Sequence, residues 1–178
     1  MNKYIPILIG LLLVGATSTI VPTADVTNEW DSGTYADIDE GIASANDSDF
    51  ITTDTSGNTL RFTLGNPGLT DGDTITDVNM IIRCKDNDSS NRFTCHIYIG
   101  GSSQGSVTIN SNAAITNRTA SLAGWDTDWT AAQLDGMEAV VVSDDTGSEG
   151  DYWLYTLDVE ITYTAGAGGA TNTVRMIL

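Results

Sequence analysis

The stretch GWDTDWTAAQLDGMEAVV, residues 124 to 141, sets Trp125 and Trp129 among Asp126, Asp128 and Asp135 just ahead of an apolar run. An indole face stacks on the C–H edges of a sugar ring, while neighbouring carboxylates and amides hydrogen-bond its hydroxyls. Trp125, Asp126, Asp128 and Gln133 are therefore candidate ligand-binding residues for a glycan. Trp129 stands immediately before a short stretch that Thr130 or Asp128 can cap and Gly136 can end. An apolar residue at that position staples a helix start to the body, so Trp129 is expected inside as a plug and Trp125 outside. Trp30, in VTNEWDSG, is expected to pack near the start of the fold for the same reason.

Oxygen ligands for a hard cation are offered by Asp144, Asp145, Glu149 and Asp151 in SDDTGSEGD, and by Asp71, Asp73 and Asp77 in TDGDTITD. Calcium is the cofactor such loops suit, although neither has EF-hand spacing. Carboxylates are so numerous that chance pairs are expected. Glycoside hydrolysis, which needs two facing acids with pKa values pushed apart, is kept as a minor alternative. His96 is the single histidine and falls in mid-strand, a poor place to assemble a nucleophilic triad. No catalytic residue is assigned.

Cys84 and Cys95 flank the turn sequence DNDSSN between two runs rich in β-branched and aromatic residues. A hairpin symmetric about that turn sets Cys84 opposite Cys95, Ile82 opposite Ile97 and Met80 opposite Ile99, with Val78 and Phe93 on the same face. His96 then lies on the other face, beside Arg83. Directly opposed cysteines have the separation a disulfide needs, and two reduced core thiols are the alternative. Their spacing, with one distant histidine, is not a zinc pattern.

Around these residues the chain reads as all-β. Strands are expected near residues 50–52, 59–64, 74–85, 92–99, 106–110, 118–122, 137–143 and 152–163, separated by Gly, Asn, Asp and Pro-rich breaks. About eight short strands point to an antiparallel, jelly-roll-like β-sandwich, with one short helical turn near residues 130–135. In YWLYTLDVEITY, alternation assigns Trp153, Tyr155, Leu157, Val159, Ile161 and Tyr163 to the core and the intervening residues mostly to solvent.

Twenty-four acidic residues against seven basic ones give a net charge of −17, a field that repels nucleic-acid phosphates and anionic membranes. Residues 1–24 combine Lys3 with an apolar run and small polar residues. That pattern reads as a signal peptide cut after Ala16 or Ala24, or as an uncleaved apolar segment. The run is short for a membrane span. Residues 25–164 form the expected domain, at the cell surface or outside the cell. Residues 165–178 are a Gly/Ala linker and an apolar tail that either docks on a neighbouring chain or its own sandwich, or is a disordered end.

The order of VPTADVTNEWDSG, DSDFITT, WTAAQL and the closing DVEITY resembles a β-sandwich module of environmental phage virion proteins, of the tail-fibre or head-decoration kind, over residues 21–164. That resemblance implies a non-enzymatic structural or adhesion subunit, on a virion or a cell surface, associating with itself or with other structural subunits. It transfers no site residues. A carbohydrate-binding module is the alternative.

Overall fold

Every second side chain is buried along Thr59–Leu64 and Arg92–Ile99, the period of a strand with one face on a core. The same alternation builds ten strands in the computed structural model, which describes residues 15–87, 92–121, 129–144 and 150–166. In chain order they are β1 (Gly15–Ile20), β2 (Pro22–Asn28), β3 (Ile51–Thr53), β4 (Thr59–Leu64), β5 (Thr74–Asp86), β6 (Arg92–Ile99), β7 (Ser102–Asn110), β8 (Thr116–Ser121), β9 (Glu138–Asp144) and β10 (Tyr152–Thr164). A single turn of helix, α1 (Ala131–Leu134), precedes β9. One antiparallel sheet runs β1-β10-β5-β8, with β3 also pairing β10; the other runs β2-β4-β9-β6-β7. The eight expected strands are present. The two additional ones, β1 and β2, begin inside the segment read as a leader, so the described part of the sandwich reaches back to Gly15.

The sheets close on a core that includes Phe62, Met80, Ile82, Phe93, Ile97, Val141, Leu157 and Val159. Trp30 stacks on Phe93 at 6.2 Å between ring centres, and Tyr152 meets the same Phe93 edge-on at 5.6 Å. Trp30 thus packs inside, as expected, and its indole N–H is satisfied by the Asn58 carbonyl at 3.1 Å.

The hairpin about DNDSSN does not form. β5 pairs β10 and β8, whereas β6 pairs β7 and β9, so the two strands lie in opposite sheets. Val78, Met80, Ile82, Cys84, Phe93, Cys95, Ile97 and Ile99 are all buried, as their alternation requires. Strands in facing sheets point their apolar faces into one interior just as paired strands do, so periodicity cannot distinguish a hairpin from a crossing between sheets. Cys84 and Cys95 are accordingly free thiols in the core, and no disulfide joins them. Burial pushes the Cys84 thiol up to about 11 and drives Cys95 further in the same direction. His96, on β6, is not beside Arg83 on β5. Its ring nitrogen lies 3.3 Å from Ser103 Oγ, and burial lowers its pKa.

β10 breaks the simple alternation expected of it. Leu154 pairs Cys84 and Thr156 pairs Arg83, leaving Tyr155 as an extra residue, a bulge. One extra residue reverses the parity. Tyr152 and Leu154 therefore join the core before it, Leu157, Val159 and Ile161 after it, and Trp153 turns outward under Lys85 Nζ, 4.4 Å from its ring centre. Nor is the other face open to solvent. The segment between β2 and β3 crosses it, with Thr156 Oγ1 donating to the Ile38 carbonyl at 3.1 Å and Phe50 edge-on to Tyr155 at 5.7 Å.

Under that crossing, Asp158 accepts the Ile42 N–H at 3.0 Å. Burial raises the pKa of this carboxyl, the Ile42 N–H opposes the rise, and the neighbouring Glu160 adds to it. A carboxyl whose folded pKa exceeds its unfolded value stabilises the fold fully below the unfolded pKa, and that contribution is lost as pH rises through the folded one. Asp158→Asn keeps an acceptor for Ile42 and cannot ionise. Its melting temperature relative to wild type is expected to climb between about pH 3 and pH 7, the carboxylate range and just above it. A pH-independent offset in paired thermal melts would contradict this reading.

Candidate functional site

At one end of the sandwich, two turns distant in sequence line one cleft. The first is Asp71 to Ile75, entering β5; the second is Trp129 to Ala131, entering α1. Thr130 caps that turn through a reciprocal box: its hydroxyl accepts from Gln133 N at 3.3 Å, and its own N–H donates to Gln133 Oε1 at 2.8 Å. Leu134 and Met137 carry the turn into the core. Trp129 is 6% exposed, so the plug expected from its position forms, and the residue also lines the cleft.

The cleft has a volume of about 570 Å³ and is lined by Asp71, Gly72, Asp73, Thr74, Ile75, Trp129, Thr130 and Ala131. That is within the range of small-ligand sites, which combine an apolar wall with a few convergent polar groups. Asp73 is rigid there. Its Oδ2 accepts from the Thr70 N–H at 2.8 Å and hydroxyl at 3.1 Å, and its Oδ1 from Gly166 N at 2.9 Å. Those backbone N–H groups, Thr70 first, lower its pKa, so it serves as a fixed acceptor. Asp71 is exposed at the rim.

Of the residues singled out for a glycan, Trp125, Asp126 and Asp128 lie outside the described residues. Gln133 is exposed and spends its amide oxygen on the cap, so it also positions the turn. Asp145 and Glu149 of the calcium set also lie outside the described residues. The other two are engaged with neighbours: Asp144 with Arg92 at 3.6 Å and Thr94 at 3.3 Å, Asp151 with Asn87 through a reciprocal pair at 2.8 and 2.9 Å. Asp77 accepts from Asn79 and does not converge with Asp71 and Asp73. Among the described residues no group of three or more acidic, cysteine or histidine side chains is arranged to hold a metal.

Sequence reasoning missed the partnership between TDGDT and Trp129. Both stretches were noted, one for its acids and one for its indole, but they are more than fifty positions apart and meet only because β5 and α1 reach the same end of the sandwich.

No protein-family model matches this chain, and no curated protein does. Among solved structures it is similar to a family 35 carbohydrate-binding module in complex with a glucuronic acid containing disaccharide (TM-score 0.45, 19% identity, 83% of this chain and 96% of that one). A family 35 carbohydrate-binding module from Cellvibrio japonicus Abf62 gives 0.43 and 19% over 86% and 98%. A family two carbohydrate esterase from Cellvibrio japonicus gives 0.38 and 12% over 86% of this chain, which spans only 36% of that enzyme. These are distant likenesses of architecture. No helix among the described residues is long and apolar enough to cross a membrane.

Proposed function

We propose that this chain is a carbohydrate-binding module that takes part of a glycan in the cleft between Asp71–Ile75 and Trp129–Ala131. The observation that carries the reading is the cleft itself: Asp71, the hydrogen-bonded Asp73, Thr74, Thr130 and Trp129 line one concave surface of sugar size. Trp125, Asp126 and Asp128 precede Trp129 in the sequence, and tryptophan is a residue type that stacks on sugar rings. With two aspartates on the cleft, neutral sugars suit it better than acidic ones.

Binding without turnover is favoured by the protonation of the carboxyls. Asp73, in the cleft, is held in its ionised form and is a poor proton donor. Asp158, the carboxyl whose pKa is raised, lies under Ile42. The structural or adhesion reading draws on all-β periodicity, the lack of a catalytic constellation and the apolar tail, and residues 167–178 of that tail lie outside the described residues. The cleft is the more direct support.

A glycan array followed by calorimetry tests the proposal. Asp71→Ala and Trp125→Ala are each expected to weaken binding about tenfold, the loss of one hydrogen bond or one stacking face. Affinity indifferent to both substitutions would remove the site.

A further inference from the structure

A smaller cleft adjoins the first at the same end of the sandwich. It has a volume of about 160 Å³ and is lined by Gly68, Thr70, Asp73, Tyr163 and Ala165. Two observations set it beside the Asp71–Trp129 cleft. Asp73 lines both. Ile75, on the wall of the first, is the register partner of Tyr163, on the wall of the second, and directly paired strand residues send their side chains to one face of the sheet.

The shared boundary accepts hydrogen bonds and donates none. An ionised carboxylate has about four acceptor positions. Asp73 fills three of them, with the Thr70 N–H, the Thr70 hydroxyl and the Gly166 N–H, which leaves one for a ligand. The Thr70 hydroxyl commits its proton to Asp73 and keeps lone pairs for another partner. Such a boundary suits a neutral molecule rich in hydroxyl donors and disfavours an anion. It is also rigid. Asp73 N donates to the Thr70 carbonyl at 3.1 Å, and Gly166 lies so close to Gly72 that a Cβ there would collide with the Gly72 carbonyl. Tyr163, half-buried and packed against the core, brings to the smaller cleft an aromatic side chain of the kind that stacks on sugar rings.

Resting on the glycan reading of the first cleft, we propose that the two clefts are adjoining subsites for one neutral oligosaccharide, with Asp73 accepting from a hydroxyl near the linkage and Tyr163 holding the second ring. The unit recognised is a pair of linked rings, and a single sugar fills only part of the site.

Glucose, mannose and galactose, each as the free sugar and as its β-1,4-linked di- and trisaccharide, are titrated into the full chain by calorimetry, with NMR shifts for the weaker members. In the series that binds, the disaccharide is expected to bind about tenfold more tightly than the monosaccharide, the scale of one added stacking contact or hydrogen bond. The third ring adds little. Ala165→Trp, at an exposed position on the smaller cleft, fills its space and is expected to bring the ratio of disaccharide to monosaccharide affinity close to one. Tyr163→Ala lowers the same ratio; should it melt below wild type because of its core contacts, Ala165→Trp decides alone. Asp71→Ala, on the first cleft only, lowers both affinities by the same factor. Affinity that does not grow from one ring to two, or a ratio untouched by Ala165→Trp, would overturn the proposal and leave the first cleft standing. A panel in which no member binds would also overturn it, and the glycan reading falls with it only if the array shows no glycan either.

Discussion

A chain that starts at Asp25 is expected to lose its cooperative thermal transition, whereas one that starts at Gly15 keeps it. The reason is the place of β1 in the sandwich. Its six residues pair in register with β10, from Gly15 opposite Thr164 to Ile20 opposite Val159. Ser18 Oγ donates to the Pro67 carbonyl at 2.6 Å, the Val21 carbonyl accepts from Gly65 N at 3.0 Å, and Ile20 is buried in the core. Each ladder hydrogen bond contributes on the order of 1 kcal/mol and burial of Ile20 roughly 2 kcal/mol. Removal of all of them approaches the total stability of a domain, about 5–15 kcal/mol. It also turns the end of β10 into an open edge with Val159 and Ile161 above the core, an invitation to aggregate. A signal-peptide cut after Ala16 would spare most of this pairing; a cut after Ala24 would not. Circular dichroism melts and gel filtration of the two truncations decide the matter, and a Met-Asp25 chain that melts sharply as a monomer would show that β1 is dispensable.

Much of the sandwich was legible because its strands alternate cleanly. Thr59–Leu64 and Arg92–Ile99 could be read to within a residue, and the inward faces of β5 and β6 were assigned correctly. Which strand neighbours which was not legible, since pairing partners are chosen by the course of the chain between sheets, and alternation is blind to it. The reading of β10 failed at Tyr155 for a different reason. A bulge is one residue of slack that leaves no mark in composition, and every assignment on its far side changes face. β1 was hidden by its apolar company: the residues before it satisfy the pattern of an export signal, and small residues such as Gly15, Ala16 and Ser18 have little strand character of their own. Of the site, the plug at Trp129 followed from its place before a capped turn. The opposing wall at Asp71 and Asp73 depends on a distant part of the chain, and only the fold brings it forward.

The second large effect is expected at Gly33, where substitution by alanine should cost roughly 2–5 kcal/mol, the strain of a left-handed backbone together with an overpacked contact. Gly33 follows the bridge at Ser32, which exchanges hydrogen bonds with Thr52 at 3.2 and 3.1 Å as the chain turns to cross the outer face of β10. Its φ is +88°, and an added Cβ would sit 2.7 Å from the Phe50 carbonyl oxygen and 2.8 Å from Ile51 Cα. Those are backbone atoms and cannot swing aside. Ile51 is buried and pairs with Leu154, so any yielding is passed to β10. Gly57 separates strain from collision: its φ is +87°, with nothing within 4 Å of the added carbon. Gly57→Ala should therefore cost only the left-handed strain of about 1–2 kcal/mol. Calorimetric melts of the two variants measure the difference directly. Similar losses at the two positions would mean that β3 and its crossing segment yield freely, and that the cover over Tyr155, Thr156 and Asp158 is looser than their burial implies.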